Sequence, residues 1–238
     1  YERNLPSQTP VRGINTGESI SNWIDHTLLK PEATPAQIQV LCQEAMQYQF
    51  ASVCVNSLYV PLAYSLLKNS QVDVCGVVGF PLGAVPATIK TAETRYIVEN
   101  GAKEVDMVIA IGLLKAGEYE QVLDDIQMVV DEAHSHKVLV KVILEMSSLN
   151  QYEKIIGCLL CQKASADFVK TSTGFGAGGA TVEDVQLMHR VVGQNLKVKA
   201  AGGIRSYQDA YTMIEAGADR LGTSAGVKII QESMVETK

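Results

Sequence analysis

The sequence has no surplus of basic residues: 20 lysines and arginines stand against 26 aspartates and glutamates, giving a formal charge of −6 and an isoelectric point near 5.3. That excludes the usual nucleic-acid binder, whose basic face neutralises phosphates, and leaves any anionic ligand to be held by a local site. No apolar run reaches the roughly 18 residues that would span a bilayer, so no membrane partner is expected. Residues 1–17 are polar and lack the apolar core of a signal peptide; they predict a flexible N-terminal extension on a cytoplasmic protein. The five cysteines are odd in number and fall mostly inside apparent strands and helices, the pattern of reduced, buried thiols. Cys158 and Cys161 match a redox spacing but sit mid-helix, where packing explains them. The four histidines do not gather with carboxylates or thiols at strand ends, so neither a metal site nor a cofactor is expected. No G-x-G-x-x-G follows the first strand, as a dinucleotide site would need.

What the chain does have is a regular alternation of strands and helices. Its 238 residues, 47% hydrophobic and 19% charged, suit one large core over residues 18–238. Thr34, Pro35 and Gln37 form a helix start with a capping box, and Ile38, Leu41, Cys42 and Ala45 follow at helical spacing. Thr181 with Asp184 and Ser206 with Asp209 open two later helices, and Ser224 is expected to cap the last one. Strands are predicted at 24–29, 50–55, 72–78, 104–109 and 138–144, and then around Lys170, Lys199 and Arg220. Asn100–Val105 and Ala216–Leu221 echo each other, each placing a glycine just past a helix before a strand restarts. About eight strand–helix units predict an α/β fold, a single (β/α)8 TIM barrel entered through a short helix near residues 18–23; a doubly wound open sheet is the alternative.

In such a barrel the chemistry lies at the C-terminal ends of the strands, which singles out Asp25, Asp106, Lys141, Glu145, Lys170 and Lys199. Alternation turns Phe168 and Lys170 inward, Lys197, Lys199 and Ala201 inward on the next strand, and Asp106 inward between Val105 and Met107. A free lysine, with a pKa near 10.4, is almost wholly protonated at neutrality. A second ammonium roughly 6 Å away costs on the order of 2–3 kcal/mol at an effective dielectric of about 20, so Lys199 is expected to lower the pKa of Lys170 and free it to attack a carbonyl. The resulting imine is an electron sink for making or breaking a C–C bond, with Asp106 moving the protons. Taken singly, Asp25 and Lys141 read equally well as members of a salt-bridge network. Gly174, Gly202, Gly203, Gly222 and Ser224 follow the last three strands, where backbone amides and a helix start can hold a phosphate; a phosphorylated aldehyde or sugar is the expected partner.

Six segments in order carry a family resemblance: residues 24–29 (IDHTLL), 78–83 (VGFPLG), 104–108 (EVDMV), 141–145 (KVILE), 168–174 (FVKTSTG) and 198–205 (VKAAGGIR). Over about residues 20–230 the chain closely resembles the deoxyribose-phosphate aldolases. The resemblance implies a metal-free class I aldolase that reversibly cleaves 2-deoxy-D-ribose 5-phosphate to acetaldehyde and D-glyceraldehyde 3-phosphate, commonly as a homodimer or larger homo-oligomer. It implies Lys170 as the imine-forming lysine, Lys199 and Asp106 as its proton-handling partners, and Asp25 and Lys141 as supports behind them. The chain departs from the family pattern at Ala110, Ser57, Leu58 and Met146, at Phe175 where some members carry a phosphate-facing lysine, and in ending without a tyrosine. A Schiff-base aldolase for another phosphosugar, or a silent sugar-phosphate-binding barrel, are the other readings.

Overall fold

The computed structural model describes Val11 and residues 19–236, so the rest of the expected N-terminal extension lies outside the described residues. Eight parallel strands close on themselves in sequence order: β1 (Ile24–Leu28), β2 (Ser52–Val55), β3 (Asp73–Val78), β4 (Glu104–Val108), β5 (Leu139–Ile143), β6 (Phe168–Lys170), β7 (Lys197–Ala201) and β8 (Arg220–Thr223), the last pairing with β1. The expected (β/α)8 barrel is therefore present. Its helices are α1 (Pro35–Tyr48), α2 (Val60–Leu67), α3 (Ala87–Glu99), α4 (Ile111–Ala116), α5 (Tyr119–Ser135), α6 (Gln151–Lys163), α7 (Val182–Val192), α8 (Tyr207–Glu215) and α9 (Gly226–Glu236). The short helix expected near the start is a single 3-10 turn, Ile20–Trp23, whose Trp23 is buried.

Strand alternation sorts the two sides of the barrel wall. Val105 and Met107 of β4 join Val140 and Val142 of β5 and Val198 and Ala200 of β7 in the apolar layer under the helices. Glu104, Asp106, Lys141, Lys170 and Lys199, one residue out of phase, turn into the barrel and are buried there. The helix starts follow the capping logic: Thr34 and Ser206 make full capping boxes with Gln37 and Asp209, and Thr181 accepts from the Asp184 amide.

Two local expectations fail. The short α4 was not expected because it has no capping signal: Ala110 precedes it without a side-chain bond, and it ends at Gly117 in the left-handed region, φ 77°. Ser224 does not cap the last helix. That helix begins two residues later at Gly226, and the hydroxyl that receives a backbone N–H there is that of Thr223, 2.9 Å from the Ala225 nitrogen.

One buried ion pair fixes the strand that carries Asp106. Lys90 of α3 donates to the Val108 carbonyl at 2.8 Å and to Asp125 of α5 at 2.6 Å, tying two helices to the end of β4. Burial pushes the Lys90 ammonium down and the Asp125 carboxyl up, and the attraction between the two groups offsets only part of that cost.

Candidate active site

Strand register assembles the centre. Asp106 lies opposite Lys141, and Lys170 opposite Lys199, so four inward side chains from β4 to β7 meet at nearly one level. The ammonium groups of Lys170 and Lys199 both donate to the same oxygen of Asp106, Oδ2, at 2.7 Å. The expected bare pair of like charges is thus corrected: a carboxylate stands between the two lysines and offsets their repulsion. Lys141 donates to the other oxygen of Asp106 at 2.9 Å and to Glu104 at 2.6 Å. Asp25 receives Lys199 at 2.5 Å, Arg220 at 2.6 Å and the Ser52 hydroxyl at 2.7 Å. Arg220 closes the network onto Glu104 at 3.1 Å.

The electrostatics follow from these contacts. Burial alone would raise the Asp106 carboxyl, but Lys141, Lys170 and Lys199 outweigh it and hold the group well below the usual carboxylate range. Burial works against the Lys199 ammonium, yet Asp106 and Asp25 hold it above the ordinary lysine range. Lys141 is raised in the same way, its burial outweighed first by Asp106. Asp25 is held low, Arg220 and the two lysines overcoming its burial. Counting the groups, Lys141, Lys170, Lys199 and Arg220 face Asp25, Glu104 and Asp106: four cations against three carboxylates, one positive charge in surplus. Lys170 is the cation with one carboxylate contact and the one that borders open space.

Above Lys170 opens a cleft of about 350 Å³, into which Gly174, Gly202, Gly203, Gly222 and Ser224 all face. Gly174, Gly202 and Gly203 have φ of 85°, 88° and 82°, a left-handed backbone that suits glycine and lets the main chain turn tightly at the rim of the cleft. Gly222 has a different reason to lack a side chain: a Cβ there would meet the Ala201 Cβ at 3.0 Å and the Lys199 Cε at 3.1 Å. The cleft contains Lys30, Lys170 and Arg205 and no acidic residue, in a chain whose net charge is −6.

Several contributors escaped sequence reasoning. Glu104 and Arg220 lie two residues from Asp106 and Gly222, so strand alternation could have placed both inside the barrel. The thiol of Cys75, register partner of Cys54, lies 3.1 Å from Asp106 Oδ1, a contact that no motif announced. Cys54, Cys75 and Asp106 present ligand atoms within 4.8 Å of one another. Asp106 is already ringed by three ammonium groups, so a metal ion there would add to a positive surplus rather than relieve it. Three histidines expected to stand apart lie beside carboxylates, His26 2.7 Å from Glu44, His134 2.9 Å from Asp167 and His136 3.8 Å from Glu132. Glu145 lies away from the lysines: φ there is 57°, and its carboxylate receives both the amide and the hydroxyl of Thr173, anchoring the loop after β6.

Comparison with known proteins agrees with this fold. A deoxyribose-phosphate aldolase of Carboxydothermus hydrogenoformans is 60% identical over 214 residues, which are 89% of this chain and 94% of that protein. One from Caldanaerobacter subterraneus is 57% identical over 90% of this chain and 93% of its own length. The solved deoxyribose phosphate aldolase of Aeropyrum pernix, described as a tetramer, superposes with a TM-score of 0.85 at 34% identity, covering 90% of this chain and 91% of that one. The family model described as DeoC/LacD family aldolase matches residues 21–232, and with the barrel and the buried lysine centre already in place the chain belongs to that family.

Proposed function

We propose that this chain is a class I aldolase that cleaves 2-deoxy-D-ribose 5-phosphate to D-glyceraldehyde 3-phosphate and acetaldehyde, reversibly, through an imine on Lys170. The observation that carries the reading is the position of the Lys170 ammonium: it shares one carboxylate oxygen with Lys199 and opens onto an acid-free cleft. Lys170, bordering the cleft, is the lysine of the cluster placed to meet the substrate. Its amine adds to the substrate aldehyde, and water leaves as the imine forms. Asp106 takes the proton of the C3 hydroxyl through a water molecule. The C2–C3 bond breaks, its electron pair passing into the imine to give an enamine as glyceraldehyde 3-phosphate departs. A proton returned to C2 through Asp106 and Lys199, followed by hydrolysis, frees acetaldehyde and Lys170.

Borohydride added in the presence of acetaldehyde should leave an ethyl group on the Lys170 peptide, read by mass spectrometry. An unmodified Lys170 in a protein that still binds the sugar phosphate would reduce the reading to a binding barrel.

The glycine turns and Arg205 are the proposed phosphate cradle. A Cβ on Gly179 would lie 2.3 Å from the Gly202 carbonyl oxygen, so Gly179→Ala must displace the cradle. It should raise KM for the phosphorylated substrate about tenfold while leaving unphosphorylated 2-deoxyribose nearly unaffected. Assembly into a homo-oligomer and a cytoplasmic location belong to the same proposal. The tetrameric Aeropyrum pernix relative supports the first, and the five free, buried cysteines suit a reducing compartment.

A further inference from the structure

Thr173, Gly174 and Phe175, which follow Lys170 in the chain, form one wall of the cleft. Four of the six residues 174–179 (GFGAGG) are glycine, so the backbone by itself does not select a single path there. Contacts at both ends select it. At the far end the Ala180 amide donates to the Gly202 carbonyl at 3.0 Å. At the near end the tether is Glu145, a buried carboxylate at a strand end that takes no part in the lysine centre. Its Oε2 accepts the Thr173 amide at 3.1 Å and the Thr173 hydroxyl as well, and that hydroxyl in turn accepts the Phe175 amide at 3.1 Å. The chain is closely fitted around the carboxylate, for a Cβ on Gly176 would lie 2.7 Å from Oε1. The φ of 57° at Glu145 costs a residue with a side chain, and it is held because the amides on either side, Leu144 and Met146, donate to the Lys170 and Thr171 carbonyls at 2.9 Å. A buried acid is a costly choice behind a cleft whose charged side chains are all basic. What the charge supplies is a stronger acceptor, since charge-assisted hydrogen bonds are roughly twice as strong as neutral ones.

We infer that Glu145 is a positioning residue of the active site: acting through Thr173, it holds the glycine-rich segment in the shape that receives the phosphosugar, and so sets substrate affinity rather than the reactivity of Lys170. The inference rests on the aldolase reading proposed above. Glu145 itself does not touch the substrate, because Thr173 lies between its carboxylate and the cleft. With the tether cut, the segment samples many paths and only a fraction of molecules present the cleft in its receptive form. Apparent affinity falls by that fraction, whereas a substrate once bound meets an unchanged lysine centre. The backbone bonds from Leu144 and Met146 to the Lys170 strand do not involve the Glu145 side chain, so Lys170 keeps its place.

The test measures KM and kcat for 2-deoxyribose 5-phosphate on the whole protein. Glu145→Gln, which keeps the shape and removes the charge, should raise KM about tenfold and leave kcat within about threefold, with borohydride trapping of acetaldehyde on Lys170 unchanged. Thr173→Val, which removes the hydroxyl that links Glu145 to Phe175, should raise KM in the same direction, and Thr173→Ser should restore it. Because both substitutions cut one chain of contacts, the double variant should be no worse than the weaker-binding single one. A KM within twofold of native in Glu145→Gln, a fall in kcat without a rise in KM, or effects that multiply in the double variant overturns the inference. Should Glu145→Gln fail to fold, the Thr173 pair decides: a KM rise that serine restores supports the tether, and an unchanged KM overturns it. Absence of cleavage and of trapping in the native protein would instead count against the aldolase reading. Calorimetry of 2-deoxyribose 5-phosphate binding to Lys170→Ala then reads the tether alone: binding about tenfold weaker with Glu145→Gln added supports it, and equal or absent binding overturns it.

Discussion

Lys170→Ala should lower kcat/KM for 2-deoxyribose 5-phosphate by roughly 10⁵-fold, the scale on which enzymes lose activity when a covalent nucleophile is removed. The same substitution should leave the protein as stable as before, or slightly more so. In the native centre four cations face three carboxylates; without Lys170 the count is three against three, and Asp106 still receives Lys199 and Lys141. The opening it leaves borders the cleft, so water can fill it instead of leaving a dry cavity. Steady-state kinetics and thermal unfolding on one preparation check both halves. Activity within tenfold of the native protein would remove Lys170 from the reaction, whereas a large fall in melting temperature would show that its charge serves the fold. Lys170→Arg should be equally inactive, since a guanidinium keeps the charge but cannot form the imine.

Asp106→Asn should be damaging in both respects. Four buried cations would then face two carboxylates, and breaking a buried pair by removing one partner typically costs about 3–5 kcal/mol. With the proposed proton carrier gone as well, kcat should fall by about 10²–10⁴-fold. The two losses separate in a double variant: Asp106→Asn with Lys141→Met removes one of the uncompensated cations and should regain part of the stability, measured by urea unfolding, without regaining turnover. Acid dependence gives a further readout. Because the folded protein holds Asp106 well below the unfolded carboxylate value of about 3.9, its stabilising contribution is complete above that value and is lost as pH falls through the depressed one. The asparagine variant should lack that portion of the acid loss.

Much of this was legible in the sequence because it depends on local rules. Period-two alternation puts Lys170, Lys199 and Asp106 on the inner wall whatever their neighbours, and the capping boxes at Thr34 and Ser206 mark helix starts within four residues of chain. The relation between the two lysines was not legible. Which charge sits between them depends on the register of β4 against β5 and of β6 against β7, and register comes from closure of the whole sheet. For the same reason the Arg220 contact with Asp25, 195 residues away in the chain, had no local signature. Cys75 could have been placed on the inner wall by alternation, but a thiol donating to a carboxylate has no sequence pattern of its own. The misplaced cap at Ser224 is a simpler case: Thr223 and Ser224 both offer a hydroxyl near the helix start, and the backbone path alone decided between them.

Closure of the ring also bears on how the chain folds. Arg220 arrives on the last strand and, like Lys141, reaches both Asp25 on the first and Glu104 on the fourth. A nascent barrel that lacks β8 has three lysines and three carboxylates inside, but its ring is open: β1 and β7 both lack the strand that joins them, and Asp25 lacks Arg220, one of its three closest donors. Such contacts of high sequence separation form late and slow the search for the native state. An incomplete barrel leaves the inner charges of β1 and β7 beside an open edge, so the buried lysine centre is sealed from water only when β8 pairs with both neighbours. Assembly is driven toward a single cooperative step, with the last strand acting as the latch.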